Sequence, residues 1–289
     1  MTNVSSSAAM KGDETACAGS SPFSVVALDI GGTKVAGCIA VYEHAGTCPK
    51  VILKKSIPTD AQRGGSDVLA RVCELASQLV AEAKSADVPA LVGIGVSSAG
   101  SIRESDGLVA FASEIMPGWM GQPLGAALHD RCGLPVAVLN DVHAHALGEL
   151  RHGAAKGARV ALMVAAGTGL GGAVMIDGHL LGGAHGCAGT IGHALHPAAV
   201  GCPSGWPGTG HLESVVAGSG IEECYRARGG EAISGGEISR RANDGEALAR
   251  EVIEQSGRSL GESIASWADL IDPEVVVLAG SVCKAGPIW

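Results

Sequence analysis

The sequence predicts an α/β fold built around a duplicated unit, and three observations carry the prediction. Apolar runs rich in Val and Ile alternate with helical patterning, as layered α/β proteins require. A unit of strand, Gly/Thr turn and antiparallel strand occurs twice, at "VVALDIGGTKVAG" (25–37) and within "VALMVAAGTGLGGAVMIDGHLLG" (160–182). A third glycine turn follows the apolar run in "EVVVLAGSV" (274–282).

The elements follow in order. After the first turn, "KVAGCIAVYEH" has no N-cap and no helical stripe, so it continues as a second strand and the turn becomes a hairpin tip. That excludes a dinucleotide fingerprint and a P-loop, which both need a helix directly after their glycines. Residues 66–86 place Leu69, Val72, Ala76, Leu79 and Ala83 on one face of an amphipathic helix. "ALVGIGVSSAG" (90–100) reads as a buried strand running into a Gly/Ser turn, and "PVAVLNDVHAHALGEL" (135–150) as a short strand followed by a helix. Residues 160–182 give strand, turn, strand, tight Asp-Gly turn and strand. A long helix over 246–271, carrying Leu248, Val252, Leu260, Ile264 and Ile271, leads into the last strand. Two copies of the unit predict two domains, 22–139 and 140–289, with their turns facing across a cleft, after a disordered tail over 1–21.

Composition narrows the function classes. The 289 residues are 46% hydrophobic and 17% charged, which is globular. The net charge of −9, without a basic stripe, argues against a nucleic-acid surface. No signal peptide and no uninterrupted apolar span of membrane length is present, and the nine cysteines include no CxxC pair. Reduced thiols in a cytoplasmic protein are the expectation.

Bare backbone amides at Gly31, Gly32 and Thr33 suit a phosphate, with the Thr33 hydroxyl as a further donor and Lys34 behind them. Asp29 is placed to hold Mg2+ through water. The alternative is a plain hairpin turn with a capping Asp. The second copy, Gly167, Thr168 and Gly169, and the third turn at Gly280 favour the several parts of one nucleotide. Asp141 stands at the carboxyl end of an apolar strand beside Asn140, where open α/β sheets place ligands. A carboxylate there can accept the proton of an attacking hydroxyl during phosphoryl transfer. The alternative is an Asn-Asp helix N-cap.

Taken in order, "LDIGGTKVAG", "LNDVHAHALGE", "AAGTGLGGAVMIDG", "GTIGHAL" with "GCPSG" and "GHLES", and "VVVLAGSV" resemble the ROK family of bacterial sugar kinases and related repressors, over about residues 24–283. The resemblance implies the duplicated actin-like, hexokinase-like ATPase fold, ATP with Mg2+, and a sugar between two domains. It implies Asp141 as base on a hexose 6-hydroxyl, with Asn140, His193 and Glu213 touching the sugar and a homodimer as a common state. The substrate splits between glucose and an N-acetylated hexosamine such as N-acetylmannosamine; Thr190 stands where the family usually has a Glu for the sugar, which weakens the glucose case and favours neither outright.

The family's zinc pattern, a His followed by CxCGxxGC, is degraded here. His193, Cys202 and His211 are the evident ligands, with Cys187 or His196 as stretched fourth candidates, and a tetrahedral zinc wants four. A loop held by hydrogen bonds and packing is the alternative. His143, His145, His179 and His185 read as satisfied surface or helix histidines, and the acidic residues of 222–254 as solvated helix faces. Family members usually continue past the last strand with a helix, whereas this chain stops at Trp289, which predicts a less covered apolar surface on the first domain. The rival reading is a sugar-binding regulator without catalysis, although no helix-turn-helix precedes "LDIGGT".

Overall fold

A computed structural model describes residues 21–112, 116–184, 186–203 and 208–289. The predicted tail, apart from residue 21, lies outside the described residues, as do His185 and Ser204. The elements in chain order are β1 (Phe23–Ile30), β2 (Lys34–Tyr42), β3 (Lys50–Pro58), α1 (Gly65–Ser85), β4 (Leu91–Ser98), β5 (Ser101–Arg103), β6 (Leu108–Phe111), α2 (Leu124–Cys132), β7 (Val136–Asn140) and α3 (Asp141–His152). Then come β8 (Val160–Ala166), β9 (Leu170–Ile176), β10 (His179–Leu180), α4 (Glu213–Val216), α5 (Gly218–Ala227), α6 (Gly235–Asn243), α7 (Ala247–Ile271) and β11 (Val275–Ala279).

The duplication is visible in the sheets. One runs β3-β2-β1-β4-β7 and the other β10-β9-β8-β11, so the same meander with a parallel strand beside its first member occurs twice. In the first, β1 pairs antiparallel with β2 and parallel with β4, and β4 pairs parallel with β7. In the second, β8 pairs antiparallel with β9 and parallel with β11. The register lines up Asp29 with Ser97 and Ser98 with Asn140, so the carboxyl ends of the three parallel strands share one edge. Ala165 and Ala279 do the same for β8 and β11.

Each sheet is closed by helices whose apolar faces the pattern demands. Val68, Val72, Leu75 and Leu79 of α1 are buried against Val26, Leu28 and Ile39, each such side chain contributing roughly 1.5–3 kcal/mol. Ala249, Val252, Ile253 and Leu260 of α7 pack with Val215, Val216 and Ile221 over one face of the second sheet. Helix α3 covers the other face, with Ala146 and Leu150 against Met163, Ala173 and Met175. Thus the helix that starts on the first sheet's last strand is seated on the second sheet. Among the described residues no helix is long and apolar enough to cross a membrane.

Candidate active site

The first turn is a hairpin tip, as its sequence requires. Gly31 N–H donates to the Lys34 carbonyl at 3.0 Å, so its amide closes the turn and does not face a ligand as the sequence reading had it. Lys34 enters through that carbonyl, at the start of β2. Thr59, which sequence reasoning passed over, braces the turn from behind: its hydroxyl donates to the Gly31 carbonyl at 2.6 Å and its N–H to the Thr33 carbonyl at 2.9 Å. Arg71 fixes the Thr59 carbonyl in turn at 2.9 Å. Among the described residues the amides of Gly32 and Thr33 donate to nothing, which suits an anion.

The second turn repeats this logic. Gly167 N–H donates to the Gly169 carbonyl at 2.9 Å, and the start of α5 supplies the brace. Gly218 N–H reaches the Gly167 carbonyl at 2.8 Å, and the Ser219 hydroxyl reaches the Thr168 carbonyl at 2.8 Å. Gly218 and Ser219 were not singled out in the sequence, although a glycine-rich "AGSG" ahead of a helix with no side-chain cap was a usable signal. Gly280 has φ +98, and a Cβ there would collide with the Ala166 carbonyl, so only glycine lets β11 end this close to the second turn.

Asn140 is the N-cap of α3: its Oδ1 accepts from Val142 N–H at 2.9 Å and from His143 N–H at 3.4 Å, and its amide donates to the Gly100 carbonyl at 2.8 Å. The capping role belongs to Asn140, which leaves Asp141, the first helical residue, free of it. Asp141 Oδ1 still accepts from Val142 N–H at 2.9 Å. Its carboxylate opens to solvent yet is crowded by protein on most sides. That burial pushes its pKa up, and the Asp29 carboxylate facing it adds to the rise. Asp29 is itself held by the Ser97 hydroxyl at 2.9 Å, a partner the sequence did not announce.

Contacts run from Val142, the residue after Asp141, into the second sheet. A Cβ on Gly171 would meet Val142 at 2.7 Å, and Cβ atoms on Gly169 and Gly192 would lie 3.6 and 3.2 Å from Glu213 Oε2. Glu213 therefore faces the second turn. It also acts on His193, whose pKa burial lowers despite that carboxylate, with His211 lowering it further. The His193 and His211 rings stack with centroids 5.4 Å apart. Thr190 lies at the surface with its hydroxyl donating to the Cys187 carbonyl at 2.7 Å. Asp29 and Asp141 thus lie together by the first turn, Glu213 and His193 together by the second, and Val142 against Gly171 is the contact that joins the two groups.

The zinc ligand set does not assemble. Among the described residues no group of three or more His, Cys, Asp or Glu side chains is gathered to hold a metal ion. The Cys202 thiol donates to the Ala198 carbonyl at 3.9 Å. His196 accepts from Ala198 N–H at 3.2 Å and pairs with Glu262 at 3.3 Å. Backbone bonds close the loop at its root, from His196 N–H to the Gly210 carbonyl and from Leu212 N–H to the Ala194 carbonyl, both 2.9 Å. These donors do not fit a tetrahedral zinc. Of the other histidines, His143 is buried, its ring meeting the Ala188 carbonyl at 3.2 Å and Glu104 at 3.8 Å, and His145 pairs with Glu149.

Comparison with known proteins gives the same direction. A family profile described as "ROK family" matches residues 25–289. A glucokinase of Halalkalibacterium halodurans is 32% identical over 278 residues, covering 90% of this chain and 81% of that protein. An N-acetylmannosamine kinase of Shigella flexneri is 31% identical over 266 residues, covering 90% and 84%. Among solved structures, a ROK hexokinase from Thermus thermophilus superposes with a TM-score of 0.76 at 31% identity, covering 91% and 84%. A ROK family glucokinase from Streptomyces griseus in complex with glucose and AMPPNP gives 0.71 at 26%, covering 92% and 85%. A ROK family transcriptional regulator gives 0.75 at 28%, covering 91% of this chain but 66% of that one.

Proposed function

This chain belongs to the ROK family, and from that premise we propose that it is a sugar kinase. It moves the γ-phosphoryl group of ATP to the 6-hydroxyl of a hexose, glucose or an N-acetylated hexosamine such as N-acetylmannosamine. Asp141 carries the reading. It is a carboxylate made more basic by burial and by Asp29, released from capping by Asn140, at the strand edge that also bears the first glycine turn.

In this reading the sugar hydroxyl attacks the γ-phosphorus in line while Asp141 takes its proton, and the bond to ADP breaks. The amides of Gly32, Thr33 and Thr168 and the two threonine hydroxyls hold phosphate oxygens, and Gly280 lines the nucleotide. Asp29, with one oxygen on Ser97, would hold Mg2+, which neutralises phosphate charge when bound. Asn140, His193 and Glu213 take sugar hydroxyls, with His193 neutral by virtue of its burial. Residues 22–139 and 140–289 act as two domains that close to exclude water, a competing acceptor. The kinase relatives support this reading.

A second reading, sugar binding without turnover, is favoured by Thr190, which presents a hydroxyl already committed to the Cys187 carbonyl, and by the likeness to a regulator. ADP release measured over a panel of hexoses, alongside the melting temperature with each sugar, separates the two. ADP release with one sugar supports the kinase. A sugar that raises the melting temperature while none releases ADP supports the regulator, and neither response overturns both.

A further inference from the structure

Every backbone N–H shares a rigid peptide plane with the carbonyl of the residue before it. In a trans peptide the two point to opposite sides, so a donor that grips the carbonyl also fixes where the N–H points. The Gly32 N–H is coupled in this way to the Gly31 carbonyl, which the Thr59 hydroxyl holds at 2.6 Å. That plane needs a grip more than its neighbours do. Turning it over takes rotation only about ψ of Gly31 and φ of Gly32, and neither residue has a Cβ to oppose the motion. A turned plane would present a carbonyl oxygen to an anion in place of an N–H, exchanging attraction for repulsion.

Thr59 is itself anchored. It is buried, its N–H donates to the Thr33 carbonyl at 2.9 Å, and Arg71 on α1 donates to its carbonyl at 2.9 Å and to the Pro58 carbonyl at 2.6 Å. Arg71 is fixed in turn by Asp60 at 3.0 Å. The second turn carries the same device. There the Gly169 N–H shares its plane with the Thr168 carbonyl, which the Ser219 hydroxyl holds at 2.8 Å, and the Thr168 N–H shares its plane with the Gly167 carbonyl, which Gly218 N–H holds at 2.8 Å. One side-chain hydroxyl therefore stands behind each turn, in matching places of the two copies.

We infer that Thr59 and Ser219 are positioning residues for the phosphates of the nucleotide, each acting through the peptide plane whose carbonyl it grips. The proposal rests on the sugar-kinase reading, in which phosphates occupy both turns. The two grips differ in strength. The Gly31 carbonyl has the Thr59 hydroxyl behind a plane flanked by two glycines, whereas the Thr168 carbonyl also accepts from Ser219 N–H at 3.4 Å and belongs to a residue with a Cβ. Losing the Thr59 hydroxyl should therefore tell more than losing that of Ser219.

The test measures the affinity of the whole protein for ATP and for adenosine by calorimetry, in magnesium buffer, for the wild type, Thr59→Val, Thr59→Ser and Ser219→Ala. Thr59→Val keeps the shape of the buried side chain and removes only the donor. Its ATP affinity should fall roughly ten- to hundredfold, the worth of a hydrogen bond to a charged group, and that of Ser219→Ala roughly two- to tenfold. Adenosine has no phosphate, so its affinity should stay at the wild-type value, and Thr59→Ser should restore ATP binding. Where a hexose is turned over, the KM for ATP rises in Thr59→Val while the KM for the sugar does not. Wild-type ATP affinity in Thr59→Val overturns the proposal, as does a Thr59→Ser variant that binds ATP as weakly. Equal losses of ATP and adenosine overturn it too, because they mark a merely structural role. If Thr59→Val does not fold, Ser219→Ala, at an exposed site, decides on the same two ligands. A wild type that binds no ATP overturns the kinase reading and this proposal with it, whereas normal binding by the wild type and by the variants overturns this proposal alone.

Discussion

Replacing Asp141 with Asn exchanges a carboxylate for an amide of nearly the same shape. The Val142 N–H keeps an oxygen to donate to, and Asn140 keeps the helix cap, so the start of α3 is undisturbed. What is lost is the proton acceptor. A positioned general base contributes about 10²- to 10⁴-fold, so turnover should fall by that factor, which is roughly 2.7–5.5 kcal/mol of barrier. Stability should move the other way. The folded pKa of Asp141 lies above its unfolded value, because burial and Asp29 disfavour the charged form. Its contribution to the fold is therefore complete below the unfolded pKa and is lost as pH rises through the folded pKa. At neutral pH the ionised side chain costs stability, and the amide removes that cost. ADP release assays on the active hexose and thermal melts at neutral pH and near pH 3, where the carboxyl is neutral in both states, read the two effects. The variant should be slower, melt higher than wild type at neutral pH, and show no such gain in acid. Undiminished turnover refutes the role of Asp141 as base, and a lower melting temperature at neutral pH refutes the strain argument.

The same rise in pKa moves the acid limb of the kcat/KM profile above that of a free aspartate, about 3.9, and a limb at or below that value would contradict the assignment. Asn140→Ala removes the cap of α3 and the tie to Gly100, and should cost about 1–2 kcal/mol in denaturant unfolding. Gly280→Ala forces a Cβ onto the Ala166 carbonyl at φ +98, and should destabilise by more than about 2 kcal/mol or prevent folding. Treatment with EDTA should leave the melting temperature of the nucleotide-free protein unchanged, because the donors around His193 and Cys202 are engaged elsewhere; a marked drop would reveal a structural metal.

The two glycine turns were legible because each is written in a short local code: a β-branched run, then glycine and threonine, then another apolar run that cannot be a helix. The strand and helix around Asn140 and Asp141 were legible for the same reason, and the capping alternative proved to describe Asn140. What the sequence hid is long-range. Thr59 braces Gly31 from 28 residues away and Ser97 holds Asp29 from 68, and no local pattern marks either pairing. β3 was passed over because "KVILKKSIP" carries lysines along an edge strand, where charge guards against aggregation and masks strand periodicity. Cys202 was read against Cys187, His193, His196 and His211 as a metal ligand, while its thiol donates to the Ala198 carbonyl.

Helix α3 has its tip bonded to Gly100 beside the first sheet and its flank seated on Met163, Ala173 and Met175 of the second. Such an element behaves as a lever whose fulcrum is the cap. A swing of about 10° about that cap would carry Leu150, about 15 Å along at 1.5 Å of rise per residue, through roughly 2.6 Å, yet barely displace Asp141. In such a swing the Asp141 carboxylate, the base of the proposed reaction, would stay registered to the first turn while the second sheet, with the groups it carries, would move towards it or away.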